Sequence, residues 1–210
     1  SPDVVGPELL EYDLGNILEL YIATLEKITD AEQGFSGARY QSASYIRDRS
    51  EFTEKYGDFF DESDLKTAQA NLATFMRRLL VQRFESSKYA FQSTLNKMIS
   101  SHEIILKWWD RGYVPIQKKG DLVDPDDLEE FDSIDEIMGL IENGEEIDVD
   151  SLKKSAVPVP KDLFEPVFAV YVRHDLELLQ EIRNEWFANG DTGADPKQNY
   201  VERKVSEFIS

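Results

Sequence analysis

Hydrophobic residues recur at helical spacing along most of this chain. In residues 13–29, apolar side chains return every three or four positions and form one stripe of an amphipathic helix. Gly34 and Gly37 then interrupt the pattern, and the residues that follow predict a shorter helix over Ala38–Arg49. No stretch alternates apolar and polar residues as a half-buried strand does. The pattern therefore predicts a helical protein.

The longest apolar pattern runs from about residue 60 to residue 110. Neither Pro nor Gly interrupts residues 58–111. One helix of about 45 residues would extend roughly 65–70 Å, which is longer than a compact domain of this size. We therefore expect either a projecting helix or a break near Glu85-Ser86-Ser87, because serine side chains compete for backbone hydrogen bonds.

Residues 112–160 have a less regular and more acidic sequence. Within them, a capping-box pattern at residues 133–136 predicts a short helix. Pro158 and Pro160 predict a stiff connector, because proline fixes the backbone and removes a hydrogen-bond donor. We interpret this region as an acidic subregion of one domain.

Two further long helices are expected near residues 162–188 and 195–209, where apolar residues again recur at helical spacing. The predicted fold class is all-α. We expect one helical domain over residues 1–210, an irregular bundle built around a very long or bent central helix.

The net charge of −19 is distributed unevenly along the chain. Residues 121–150 carry 14 Asp or Glu and no Lys or Arg. Residues 71–119 carry nine Lys or Arg and three Asp or Glu. This basic stretch is compatible with contacts to phosphate groups, and equally with a solvated helix face that aids solubility.

Several kinds of reactive site have no counterpart in this sequence. The absence of Cys excludes disulfides and thiolate metal sites, and neither a phosphate-binding loop nor a nucleophile elbow occurs. His102 and His174 are far apart and lack the spacing of a zinc pair. The acidic residues between 121 and 130 lack the spacing of a calcium-binding loop. We expect no catalytic residue, no cofactor-binding residue and no metal ligand in this chain.

The sequence also contains no run of about 20 apolar residues, the length that a membrane-spanning helix requires. No early apolar stretch with a basic flank indicates a signal peptide. We therefore expect a soluble, cytoplasmic protein without a membrane partner.

Trp108 and Trp109 are adjacent, so on a helix their side chains point about 100° apart. We expect one to pack in the core and the other to be partly covered. The alternative is a platform on which nucleic-acid bases stack.

The most informative motif covers residues 71–91, which read N-L-A-T-F-M-R-R-L-L-V-Q-R-F-E-S-S-K-Y-A-F. This run resembles the pattern N-L-x-x-[LF]-M-[RK]-x-L-L-x-x-R-[LF]-E-S-S-x-x-A-F of bacterial Swi/Snf-like superfamily-two helicases, which are often fused to a phospholipase-D-like nuclease domain. In that family the pattern lies in a helical region between two RecA-like motor lobes. Gln82 departs from it, because a lysine is expected there.

Two shorter motifs resemble the same helicase region and occur in the same order. The A-R-Y motif begins at Ala38, and the D-P-K motif begins at Asp195. In the family, D-P-K opens the helix that precedes the second lobe. The resemblance is therefore spread over most of the chain, although residues 120–160 match no motif.

The resemblance implies a non-catalytic helical segment of an ATP-dependent DNA helicase or translocase. Such a segment would couple the two motor lobes and possess no enzymatic activity alone. ATP and Mg²⁺ would bind in the lobes, outside this chain. The implied partners are the flanking RecA-like lobes and duplex DNA.

The basic residues of the motif are the candidate contacts with DNA or with a lobe: Arg77, Arg78, Arg83 and Lys88. Arg78 and Arg83 are about 140° apart on a helix, so these residues do not define one basic stripe. Glu85, Ser86 and Ser87 are a candidate structural motif. In that alternative, Arg83 and Glu85 hold neighbouring helices together through hydrogen bonds and ion pairs.

Two other functions are compatible with the sequence. A stand-alone regulatory or scaffold domain would bind another protein through helical grooves or through its acidic segment. A hydrolase that uses unmarked carboxylates is the third possibility, and no motif supports it.

Overall fold

The computed structural model describes residues 7–117 and 156–187, which are mainly α-helical. The predicted all-α fold class is confirmed. The helices and strands of this part of the chain are α1 (Pro7–Thr29), α2 (Arg49–Tyr56), α3 (Glu62–Ser86), α4 (Lys88–Asp110), β1 (Tyr113–Gln117), β2 (Ala156–Pro160) and α5 (Val167–Phe187).

The long central helix is broken at Ser87, as the serine-rich run predicts. Ser87 has an extended backbone with φ −154° and ψ 148°, and its side chain accepts a hydrogen bond from the backbone N–H of Ala90 at 3.1 Å. Ser87 therefore acts as the N-cap of α4. Helices α3 and α4, joined by this one residue, are called the α3–α4 pair below.

The expectation that the chain contains no strand is wrong. Strands β1 and β2 form an antiparallel ladder in which Pro115 lies opposite Pro158 and Tyr113 lies opposite Pro160. Residues 155–160, interpreted as a connector, thus include strand β2. Proline is tolerated because both strands of a two-stranded sheet are edge strands.

The predicted helix over Ala38–Arg49 is also wrong. This segment forms two 3-10 turns, Ala38–Tyr40 and Ser42–Tyr45, and α2 begins only at Arg49. The physical reason is tertiary. The backbone N–H of Ala43 donates to Gln69 Oε1 at 2.7 Å, so a side chain of α3 takes a donor that a continuous helix would use internally.

Other element boundaries shift by several residues. Helix α1 begins at Pro7 rather than near residue 13, and α5 begins at Val167 rather than near residue 162. Lys161–Leu163 forms a separate 3-10 turn before α5. The helices predicted near residues 133–142 and 195–209 lie outside the described residues, as does the acidic stretch 121–150.

Two separate apolar clusters stabilise the described part of the chain. The first core joins α1, α3, α4 and the second half of α5, and its fully buried side chains include Ile28, Leu80, Leu95, Leu179 and Ile182. The second core joins α2, the sheet and the first half of α5 with Leu65 of α3 and Ile105 of α4. Its fully buried side chains include Phe52, Val114, Val159, Phe164 and Val172.

Trp108 and Trp109 behave as their adjacent positions predict. Trp108 is fully buried, and Trp109 is partly buried. The Trp109 ring centre lies 5.7 Å from the Phe168 ring centre and 5.7 Å from Lys161 Nζ. Its ring is therefore covered within the chain, which argues against a base-stacking platform at this position.

Candidate functional site

Arg77 and Arg78 are adjacent in α3 but have different surroundings. The Arg77 guanidinium donates hydrogen bonds to the Phe35 carbonyl oxygen at 2.8 and 3.3 Å and to the Ser36 carbonyl oxygen at 3.3 Å. The Arg78 side chain is exposed. The Arg77 side chain therefore bonds to another segment of the chain, whereas the Arg78 side chain faces solvent.

Arg83 and Lys88 lie on either side of the corner between α3 and α4, and both are partly buried. Lys88 Nζ is 5.6 Å from the ring centre of Phe187, a cation–π distance. Part of the Lys88 side chain therefore contributes to packing against the end of α5.

The E-S-S run forms the corner itself. Glu85, Ser86 and Ser87 are exposed. The Ser86 hydroxyl donates to the Arg83 carbonyl oxygen at 3.2 Å, one of the last carbonyls of α3. The Arg83 carbonyl also accepts from the Ser87 backbone N–H at 3.3 Å, so Ser86 adds a second donor at the end of α3, whereas the Ser87 hydroxyl satisfies one free N–H at the start of α4.

Helix α4 exposes further basic residues, which the sequence distinguishes only by their charge. Lys97 and Lys107 are both exposed. At 100° per residue, Lys107 lies on the same face as Tyr89, and Ser100 lies within about 20° of it. Tyr89 is 81% exposed, the largest value among the exposed hydrophobic side chains described. A helical projection of α4 opposite its buried stripe would have identified this face.

Between the two apolar cores lies a set of buried or half-buried polar side chains, called the polar layer below: Ser36, Arg39, Ser42, Gln69, Ser101, His102 and Asp175. On α4, Ser101 and His102 fall between Ile99 of the first core and Ile105 of the second. Helices α3 and α5 run in the opposite direction, from the second core to the first, and each also has a residue of the layer between the two cores. Each of the three long helices therefore contributes to the layer.

Asp175 is the central acceptor of the polar layer. Its carboxylate is fully buried and accepts hydrogen bonds from Ser36 N at 2.8 Å, from Ser36 Oγ at 2.8 Å and from Gly37 N at 2.9 Å. Gly37 has φ +73°, a left-handed conformation that favours glycine, and a Cβ there would lie 3.1 Å from Ala73 Cβ. Burial raises the pKa of Asp175, and the hydrogen bonds from Ser36 and Gly37 act in the opposite direction.

Helix α4 joins the layer through Ser101 and His102. Arg39 Nε donates to Ser101 Oγ at 2.8 Å. His102 Nδ1 is 2.7 Å from the Met98 carbonyl oxygen, so Nδ1 carries the proton and donates. Burial lowers the pKa of His102 to about 3, the bond to Met98 opposes this shift, and nearby Arg39 lowers the pKa further.

The polar layer has the residue types of a hydrolytic site but not its geometry. The Ser36 hydroxyl donates to Asp175 rather than to an imidazole, and His102 donates to its own helix. Asp175 and His102 are both fully buried, so no substrate reaches them in this conformation. Burial also raises the pKa of Tyr40, beside His102, to about 12. The hydrogen bonds of the layer connect α5 to the loop at Ser36 and Gly37, and α4 to Arg39.

The described residues contain no group of three or more His, Cys, Asp or Glu side chains that could hold a metal ion. Within the same ranges, no helix has the length and apolar character needed to cross a membrane.

One apolar patch remains uncovered at the start of α5. Val167, Val170 and Tyr171 are 41%, 58% and 42% exposed. Their spacing places them on one face of the helix. The Tyr45 ring, 6.0 Å from the ring of Tyr171, borders this patch.

Comparison of the chain with protein-family models, with curated proteins and with solved structures finds no match.

Proposed function

We propose that this chain is a non-catalytic helical segment of an ATP-dependent DNA helicase or translocase, in which it couples two RecA-like motor lobes. The resemblance of residues 71–91 to the Swi/Snf-like helicase pattern supports this proposal. ATP and Mg²⁺ would be bound by the lobes. A cytoplasmic location belongs to the same proposal.

The observation that carries a contact with DNA is the distribution of positive charge on the α3–α4 pair. The whole pair holds seven Lys or Arg against five Asp or Glu, and two of the acidic residues lie in the first turn of α3. Beyond that turn, residues 71–111 hold seven Lys or Arg against three Asp or Glu, within a chain of net charge −19. Arg78, Lys97 and Lys107 of this region are exposed. Clustered cations are the part of a protein surface that phosphate groups recognise. We therefore propose Arg78, Lys97 and Lys107 as DNA contacts and assign Arg77 to the fold.

The test is the binding of a fluorescently labelled duplex to the chain, measured by anisotropy at about 50 and 200 mM salt. The double variant R78E/K107E is compared with R47E/K55E, which makes the same change of charge at exposed residues of another region. We expect affinity to fall by about tenfold or more in R78E/K107E, and steeply with salt in the unchanged protein.

The binding results distinguish a specific DNA contact from an effect of overall charge and from coupling through protein contacts. An equal loss in both double variants would show that only the overall charge matters. Absence of duplex binding at both salt concentrations would exclude the DNA contact and leave coupling through protein contacts. Thermal unfolding of each variant checks that the fold is intact.

A second candidate is a stand-alone regulatory or scaffold domain that binds another protein. The exposed apolar patch of Val167, Val170 and Tyr171 favours it, because such patches mark protein interaction sites. Under this alternative the chain binds no duplex, and V170S, at the most exposed residue of the patch, weakens a protein complex with little change in thermal unfolding.

A further inference from the structure

The polar layer divides an otherwise apolar interior into two parts. On α5, Val172 belongs to the second core, Leu178 to the first, and the fully buried Asp175 lies between them. On α3, Gln69 lies between Leu65 of the second core and Ala73 of the first. The polar layer thus separates the two apolar cores on both helices.

The loop of residues 34–37 is held from two sides at this layer. Asp175 of α5 accepts from the backbone N–H groups of Ser36 and Gly37, at 2.8 and 2.9 Å. Arg77 of α3 donates to the carbonyl oxygens of Phe35 and Ser36, at 2.8 and 3.3 Å. The loop therefore connects α5 to α3 through six hydrogen bonds, three with Asp175 and three with Arg77.

Directional and apolar contacts constrain a helix differently. Apolar burial depends mainly on the area removed from water, so it tolerates small shifts of one helix along another. Hydrogen bonds to a fully buried carboxylate form at one position only, and leaving that carboxylate or its donors unpaired is costly. Buried polar groups are best known for selecting one helix register among several apolar alternatives.

We infer that the polar layer is a register lock on α5. While Asp175 is held by Ser36 and Gly37, α5 has one axial and rotational setting against the α3–α4 pair. When these bonds are released, α5 shifts against the pair by a small shear, and both apolar cores repack. The inference rests on contacts within the chain and does not depend on the proposed function.

The lock is tested with spin labels on the full chain of residues 1–210. Because the sequence contains no Cys, cysteine pairs introduced at exposed positions are labelled uniquely. The pair Y89C/V170C reports the position of α5 relative to α4, from sites that are 81% and 58% exposed. The pair R78C/K107C, within the α3–α4 pair, is the internal control.

Each label pair is measured by pulsed dipolar spectroscopy with Asp175 intact and in D175N. We expect one narrow distance distribution for Y89C/V170C in the unchanged background, and a broader or two-component distribution in D175N. The control pair stays narrow in both backgrounds. E177Q, which removes an exposed carboxylate of α5 two residues away, leaves both distributions unchanged.

Hydrogen exchange supplies the second readout. D175N should raise the exchange rates of the Ser36 and Gly37 amides by about tenfold or more, because they lose a charged acceptor. S36A, which removes only the hydroxyl donor, serves if D175N does not fold, with smaller shifts in the same directions. A narrow Y89C/V170C distribution despite faster exchange at Ser36 and Gly37 would overturn the lock, as would equal broadening of both label pairs. Neither result depends on DNA binding.

Discussion

At the scale of single residues, Arg77 and Arg78 differ although they share one motif and one charge. Arg77 contacts the carbonyl oxygens of Phe35 and Ser36, and Arg78 is exposed. The resemblance treats both as candidate contacts with a partner. Their surroundings predict separable effects, one on folding and one on binding.

We expect R77Q to lower the free energy of unfolding by about 1–3 kcal/mol, because it leaves carbonyl groups without their donor. R78Q is the matched control and should change stability by less than about 0.5 kcal/mol, since an exposed side chain makes few contacts. Urea unfolding measures both variants. Equal losses would show that Arg77 contributes no more to the fold than its exposed neighbour.

His102 makes the fold sensitive to acid. Burial lowers its pKa from 6.5 to about 3, so the unfolded chain binds a proton more readily than the folded one. The stability associated with a neutral His102 is present above pH 6.5 and is lost as the pH falls towards 3. The loss is at most about 1.4 kcal/mol per pH unit for one proton.

The predicted loss of stability at low pH is tested by measuring the free energy of unfolding between pH 7 and pH 4. H102Q should flatten the decline relative to the unchanged protein, because Gln cannot take up the proton. H174Q replaces the exposed histidine of α5 and controls for the loss of a histidine as such. An identical pH dependence in H102Q and the unchanged protein would show that His102 does not cause the loss of stability in acid.

At the scale of secondary-structure elements, the corner at Ser87 decides the shape of the central region. Without a break, residues 62–110 would continue as one helix and could not fold both apolar faces into one bundle. The Ser87 side chain caps α4, and the Ser86 hydroxyl contacts the end of α3. The corner thus depends on two small polar side chains with different partners.

Replacing Ser87 with Ala should cost about 1 kcal/mol, the usual effect of losing an N-cap. S86A removes a hydroxyl that only donates to a carbonyl of its own helix, and we expect less than about 0.5 kcal/mol. S87D, which keeps a capping oxygen, should restore most of the loss. Thermal unfolding of the three variants provides the comparison, and equal effects of S86A and S87A would argue against the cap.

At the scale of the whole molecule, two apolar cores separated by polar groups share the same three long helices. Because the polar layer interrupts the apolar packing between the two cores, we expect each core to open without opening the other. Leu80 of the first core and Phe168 of the second are each almost fully buried. They offer matched positions at which to weaken one core.

We expect L80A and F168A each to lower the free energy of unfolding by about 2–5 kcal/mol. Native-state hydrogen exchange should then increase mainly around the substituted core, in α3 and α4 near Leu95 for L80A, and in β1 and β2 for F168A. A uniform increase over both cores would mean that the described part of the chain opens only as a unit.

The sequence alone predicted the elements that depend on local periodicity and capping. The amphipathic repeats identified the helical regions of α1, α3, α4 and α5, because helical spacing acts within a few residues. Glu85-Ser86-Ser87 marked the place of a break, but the sequence did not decide between a break and one projecting helix. Tertiary structure decided the segments whose backbone groups bond to distant side chains. In residues 38–45 a side chain of α3 takes the backbone N–H of Ala43, and the segment forms 3-10 turns. Strands β1 and β2 pair across a long separation in sequence.

For the candidate site too, the sequence predicted one part and the tertiary structure decided the rest. The charge balance of residues 71–119 showed that a basic region exists. It could not show that Arg77 contacts a loop 40 or more positions away, that Lys97 and Lys107 are exposed, or that Asp175 is fully buried. Charge is a property of composition, whereas the direction and partners of each side chain depend on contacts between residues that are distant in the sequence.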